Sequence, residues 1–148
     1  MTPNLKHVER VATLATIDPV SQAAGTVTTA WVPAALFHSL VAAIQTGVLG
    51  ASATVDAKLQ QATDASGTGA KDITGKALTQ IVKASGDNKQ AFIEVRGDEL
   101  DGNGGFGFVR LSITVGTAAS LIAAQLLGAN PRYFPASSSN AASVVQVV

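Results

Sequence analysis

The sequence contains no cysteine. Thiol catalysis, cysteine-ligated zinc and disulfide staples are therefore excluded. Histidine is almost as scarce: His7 and His38 lie far apart and in no ligand spacing. A metal-dependent β-sandwich enzyme needs ligands that converge, such as paired histidines on one strand. His7 reads as part of an N-terminal arm and His38 as a surface or hydrogen-bonded core histidine in an apolar strand. No catalytic, cofactor-binding or metal site is expected, and the chain is expected not to be an enzyme.

Charge is also sparse. Charged residues make up 14% of the chain, against about 25% in an ordinary soluble domain. The 10 basic and 10 acidic residues cancel. No strongly basic face is expected, so direct nucleic-acid binding is not. A surface of small uncharged residues suits close packing against neighbours; a genome biased to alanine and glycine produces the same composition.

Long hydrophobic runs are missing as well. The most apolar stretches, residues 34–49 and 117–127, are interrupted by His38, Ser39 and Gln45, and by Ser120 and Gln125. Neither reaches the roughly 18 apolar residues of a membrane span. The opening Met1-Thr-Pro-Asn-Leu-Lys-His lacks a basic-then-apolar signal pattern. A soluble chain without a Sec-type signal and without a membrane partner is expected. Aromatics are 5%, few for a sugar-stacking surface; Trp31 is expected in the core or at an interface.

What is present has a period of two. In residues 54–60, Val55, Ala57 and Leu59 alternate with Thr54, Asp56, Lys58 and Gln60. In residues 90–96, Ala91, Ile93 and Val95 alternate with Gln90, Phe92, Glu94 and Arg96. In residues 108–115, Val109, Leu111, Ile113 and Val115 alternate with Phe108, Arg110, Ser112 and Thr114. Such segments are strands with one wet face, which favours antiparallel sheets. Further strands are expected at 8–16, 26–32, 37–45 and 78–83, and a central one, apolar on both faces, at 120–127. The stretch 34–49 also has helix-forming residues, but its neighbours favour strand. Residues 64–69 and 98–105 read as Gly-rich turns, and Ser85-Gly-Asp-Asn-Lys as a hairpin loop. The 148 residues therefore predict one all-β domain, an antiparallel β-sandwich with the jelly roll as one form of it. An arm at 1–7, a sandwich at 8–135 and a low-complexity tail at 136–148 complete the expected layout. The tail ends in Val144-Val-Gln-Val-Val, which can add to an exposed sheet edge.

Motifs that carry chemistry fail on inspection. Asp101-Gly-Asn-Gly-Gly begins like a calcium loop, but Gly105 and Ser112 stand where ligands are required. An acidic β-turn is the better reading, in which Asp98, Glu99 and Asp101 could gather a cation only weakly and with a neighbour's oxygens. Gly69-Ala-Lys-Asp-Ile-Thr-Gly-Lys-Ala is one residue too long for a phosphate loop, and Ala77 replaces its hydroxyl residue. Ser137, Ser138 and Ser139 form no nucleophile elbow. Glu94 and Asp56 lie on wet strand faces with nothing to select them as a catalytic pair.

Three stretches resemble small structural proteins encoded in the head-gene region of tailed phages. They are Thr54-Val-Asp-Ala-Lys-Leu-Gln-Gln-Ala-Thr-Asp-Ala-Ser-Gly-Thr-Gly-Ala-Lys-Asp-Ile-Thr-Gly, Phe106-Gly-Phe-Val-Arg-Leu-Ser-Ile-Thr-Val-Gly and Leu127-Gly-Ala-Asn-Pro-Arg-Tyr-Phe-Pro. The resemblance spans about residues 26–135 and implies a cement or decoration protein at the capsid surface of a virion, made in the host cytoplasm. Its implied partners are the major capsid protein and copies of itself, as a dimer or trimer. A head-tail connector or tail component, and a carbohydrate- or receptor-binding sandwich, are the alternatives. The matching residues are fold residues, so no site is carried over.

Overall fold

The structure, a computed structural model, describes residues 4–148; residues 1–3 of the expected arm lie outside the described residues. After a 3-10 turn at His7–Glu9 come β1 (Val11–Gln22), β2 (Gly25–Thr28), β3 (Val32–Pro33), β4 (Phe37–Thr46) and β5 (Thr54–Ala62). They are followed by β6 (Lys71–Ala77), β7 (Ile81–Val82), a one-turn helix α1 (Lys83–Gly86), β8 (Gln90–Arg96), β9 (Phe108–Gly116) and β10 (Ser120–Pro131).

The strands form two antiparallel sheets. One has the order β1-β10-β4-β8; the other has the order β2-β9-β5-β6, with β3 beside β9 and β7 beside β5. Short β2 and β3 share one strand position, and β6 and β7 share another. Counted that way, the chain follows the jelly-roll path of two interlocked Greek keys.

The core fills the space between the sheets. Val55, Leu59, Val95, Val109, Leu111, Ile113 and Val115 are at most 1% exposed and Ile93 is 6% exposed. Each of these eight was assigned to the apolar side by alternation alone. Register aligns Val55 with Val115, Ala57 with Ile113 and Leu59 with Leu111, so apolar residues stack in rows across the β5–β9 pair. Strand β10 runs between β1 and β4, the central position expected for it, but only one of its faces is buried: Leu121, on the other, is 47% exposed.

Buried polar groups act as staples where loops enter the core. The Thr29 hydroxyl accepts from the Leu111 amide at 3.0 Å and donates to the Ala30 carbonyl. The Gln61 carbonyl oxygen accepts from the Asp101 amide at 2.8 Å. Among the described residues, no buried side-chain polar atom lacks a partner, as folding demands.

Four local expectations are corrected. The strand expected at 26–32 is split into Gly25–Thr28 and Val32–Pro33, with the Thr29 hydroxyl turned into the core between them. The first strand starts at Val11 and runs to Gln22, past the expected end at residue 16. Two bulges, at Thr13/Ala15 and Ile17/Val20, absorb the break in its alternation. The strand expected at 78–83 shrinks to Ile81–Val82, because the chain coils into α1 directly after it. Ser85-Gly-Asp-Asn-Lys is not a hairpin loop: it carries the chain from β7, paired with β5, to β8, paired with β4 in the other sheet.

Candidate functional site

The two outer faces of the sandwich differ in chemistry. On the β2-β9-β5-β6 sheet, polar side chains tie one another down. Lys58 Nζ meets Asp72 Oδ2 at 2.8 Å, Gln60 Nε2 donates to Asp72 Oδ1 at 2.9 Å, and Arg110 Nε donates to Gln60 Oε1 at 2.9 Å. The Arg110 guanidinium then stacks 4.5 Å from the ring centroid of Trp31. Trp31 is thus half-buried on a polar face, outside the sandwich core. Its edge fits because residue 67 is glycine: with φ +85°, a Cβ there would lie 2.5 Å from the indole nitrogen. The Lys58 ammonium, with help from Gln60, holds the Asp72 carboxyl below the usual carboxylate range.

Among the described residues, the outer face of the β1-β10-β4-β8 sheet carries no such cross-strand network; Thr16 donates to Asp18 and Arg96 pairs with Asp98, each within its own segment. Register brings Phe92, Ala43, Gln125 and Thr16 into one row, and Glu94, Val41, Leu127 and Thr13 into the next. Phe92 is 63% exposed and Leu121 is 47% exposed. A shallow depression of about 320 Å³ lies here, with Phe92, Gln45, Gln90, Gln125 and Asp18 around it. The charged residues of this face, Asp18, Glu94 and Arg96, sit on its two edge strands.

The C-terminal segment leans on the edge of the same sheet. Ala136 is 1% exposed and packs into the core cluster. Asn140, at φ +54°, donates from Nδ2 to the Thr13 carbonyl at 3.0 Å and the Leu14 carbonyl at 3.3 Å. It thereby covers backbone at the first β1 bulge. Beyond it, Val145 and Val148 are fully exposed, and an open cleft of about 620 Å³ separates the tail from Val8 and Val11.

The other sequence candidates are scattered. His7 is exposed in the 3-10 turn before β1, and His38 is exposed at the start of β4. Asp98, Glu99 and Asp101 do not gather: Asp98 pairs with Arg96, Glu99 with Lys76 and Asp101 with Lys71. Lys71 also lies 4.1 Å over the Phe106 ring, so the lysines of the phosphate-loop-like segment are engaged by carboxylates. Those lysines hold the Glu99 and Asp101 carboxyls below their usual range. Among the described residues, no three metal-ligating side chains converge. Tyr133 and Phe134, after β10, are 77% and 48% exposed, an aromatic pair that the low aromatic content did not point to.

No protein-family model matches the chain, and no curated protein sequence matches it. Solved structures with a similar outline include the Cowpea mosaic virus top component, at 10% identity and TM-score 0.45, covering 87% of this chain and 89% of that one. The SPBc2 prophage-derived protein YomS aligns at 10% identity and TM-score 0.41, over 80% of this chain and 93% of that one. The C-terminal family 22 carbohydrate-binding module of Clostridium thermocellum Xyn10B aligns at 15% identity and TM-score 0.41, over 83% and 85%. At these values no activity or partner is transferred to this chain, since one fold serves many functions.

Proposed function

We propose that this chain is a non-enzymatic structural protein of a tailed-phage particle. It is a cement or decoration protein that binds the major capsid protein at the capsid surface and associates with copies of itself. One observation carries the reading: the β1-β10-β4-β8 sheet presents an outer face of apolar and uncharged polar residues, its charges kept to the edge strands, with Phe92 and Leu121 exposed, while the opposite face is closed by its own polar network. A face of that kind is a docking surface in search of area, and shells supply large shared interfaces. The resemblance of residues 26–135 to phage head-region proteins supports the same assignment.

The test places charge on that face. Ala43→Lys and Leu121→Lys should each weaken binding to shells stripped of the protein by tenfold or more. Thr28→Lys, on the other sheet, should bind as the unaltered chain does. Equal binding by all three variants would refute the docking face.

A second reading, glycan binding, is favoured by the depression beside Phe92, where an exposed ring meets three glutamines and Asp18. A ring plus amides is sugar-recognition chemistry. Titration with oligosaccharides should show saturable binding abolished by Phe92→Ala if this reading is right, and none if it is wrong.

A further inference from the structure

The sandwich has four sheet edges, and three are interrupted. The edge on β9 is broken between β2 and β3 and ends at Pro33. The edge on β5 is broken between β6 and β7, with Gly75 at φ +76° in a bulge. Strand β1 has two bulges, contains Pro19 and is covered at Thr13 and Leu14 by Asn140. Bulges, prolines and short strands are the usual means of blocking edge pairing. Strand β8 has no bulge, no proline and a full seven residues; the charged side chains it does carry, Glu94 and Arg96, stand on the outer face in the phase of Phe92. It pairs with β4 without a register shift from Ser39↔Arg96 to Gln45↔Gln90, and it contains neither proline nor glycine.

The phase of its backbone follows from one bond. The Thr46 amide donates to the Lys89 carbonyl at 2.9 Å. In an antiparallel pair, residues that exchange bonds alternate with residues that do not. Lys89, Ala91, Ile93 and Val95 therefore face β4. Gln90, Phe92 and Glu94 turn their N–H and C=O groups to the open side. Arg96 follows the same phase, and its amide is capped by Glu99 Oε2 at 2.8 Å. Alongside the open edge runs a groove of about 360 Å³ whose walls include Leu78, Ile81 and Ala91.

We propose that two copies of this chain pair through β8, antiparallel about a two-fold axis at Phe92. The open backbone groups select this register. Centred on Phe92, Gln90 meets Glu94 of the second copy and Phe92 meets Phe92, so all three open residues pair and about six hydrogen bonds form. A shift by two residues leaves one of the three without a partner. The side chains agree with the backbone. The two Phe92 rings become cross-strand neighbours on the outer face, and each Gln90 amide reaches a Glu94 carboxylate. Among the described residues each chain has one regular open edge, so the pairing is self-complementary and closed. The two outer faces then join into one broader docking surface. This deepens the self-association within the proposed function and rests on it. Dimerisation is read on purified chain without particles and capsid binding on shells, so the two can fail separately.

The absence of cysteine makes the test clean. Paired residues of this type lie about 5.5 Å apart at Cα, within disulfide range. Phe92→Cys should oxidise to a covalent dimer at micromolar concentration, while Thr28→Cys stays monomeric. By sedimentation, the unaltered chain should self-associate in that range. Phe92→Pro, which removes an outward N–H and no bond to β4, should abolish association while leaving the circular dichroism spectrum intact. A chain truncated after Asn140 should still dimerise. The proposal is overturned if Phe92→Cys cross-links no faster than Thr28→Cys, or if Phe92→Pro associates normally. It is also overturned if truncation abolishes the dimer, which would make the valine tail the occupant of the edge.

Discussion

The ring of Phe37, on β4, lies directly against the backbone of Gly128, on β10. A Cβ at residue 128 would stand 2.6 Å from Phe37 Cδ1. The close approach lets a large ring fill the end of the core, where Phe37 is only 2% exposed.

Gly128→Ala should therefore destabilise the fold by about 1–3 kcal/mol, the usual cost of overpacking. Chemical denaturation would measure it. The double variant Phe37→Leu/Gly128→Ala should recover part of the loss, because the smaller side chain vacates the space. If Gly128→Ala unfolds at the same denaturant concentration as the unaltered chain, the contact does not constrain residue 128.

Arg110 and Trp31 give a spectroscopic handle on the opposite face, since Trp31 is the sole tryptophan. Arg110→Ala removes the stacked guanidinium and opens one face of the indole to water. Emission should shift to the red, with a stability loss of about 0.5–1 kcal/mol. Unchanged emission would mean the stack is not populated.

Asp87 links acid sensitivity to a named contact. Its carboxylate binds Lys83 and accepts from the Leu49 amide at 2.9 Å, and these two groups, Lys83 first, hold its pKa below the ordinary 3.8. A depressed folded-state pKa contributes stability that is fully present above the unfolded value and is lost as pH falls through the folded one. Asp87→Asn should lower the thermal midpoint at neutral pH. The gap to the unaltered chain should close as pH drops below 3.8. A gap independent of pH would assign the effect to packing.

Asn140 should decide whether the tail stays on its own chain. Asn140→Ala removes both bonds to the β1 bulge and strains a positive-φ position, whereas Asn140→Gly removes the bonds without the strain. Both should speed proteolysis after residue 140 and leave the core intact. Deleting residues 141–148 should leave the sandwich folded, because Ala136 remains in place, but should reduce retention on shells. Full retention with unchanged heat resistance would make the tail inert.

Strict alternation of Val109, Leu111, Ile113 and Val115 with polar residues was enough to place the core, and the doubly apolar 120–127 stretch was enough to place a central strand. Alternation reports which face of a strand is dry. It is silent on which sheet the strand joins, and for that reason Ser85–Lys89 looked like a hairpin turn yet crosses between sheets. The candidate face was half visible: alternation put Phe92 on a wet strand face without marking it, and the rows formed with Ala43 and Gln125 depend on register across three strands. The open edge of β8 is defined by pairing that does not occur, and a linear sequence has no mark for that. Trp31 was expected in the core or at an interface, and Arg110, remote in sequence, holds it on the surface.

The proposed role as a shell protein fixes how many copies a particle must carry. Its most direct test is the copy number of the chain in purified particles of the phage that encodes it, measured against the major capsid protein on a quantitative gel. Copies comparable in number to the shell subunit are expected, lost selectively when Ala43→Lys replaces the unaltered chain. Particles without the chain, or with only the few copies of a neck ring, would contradict it.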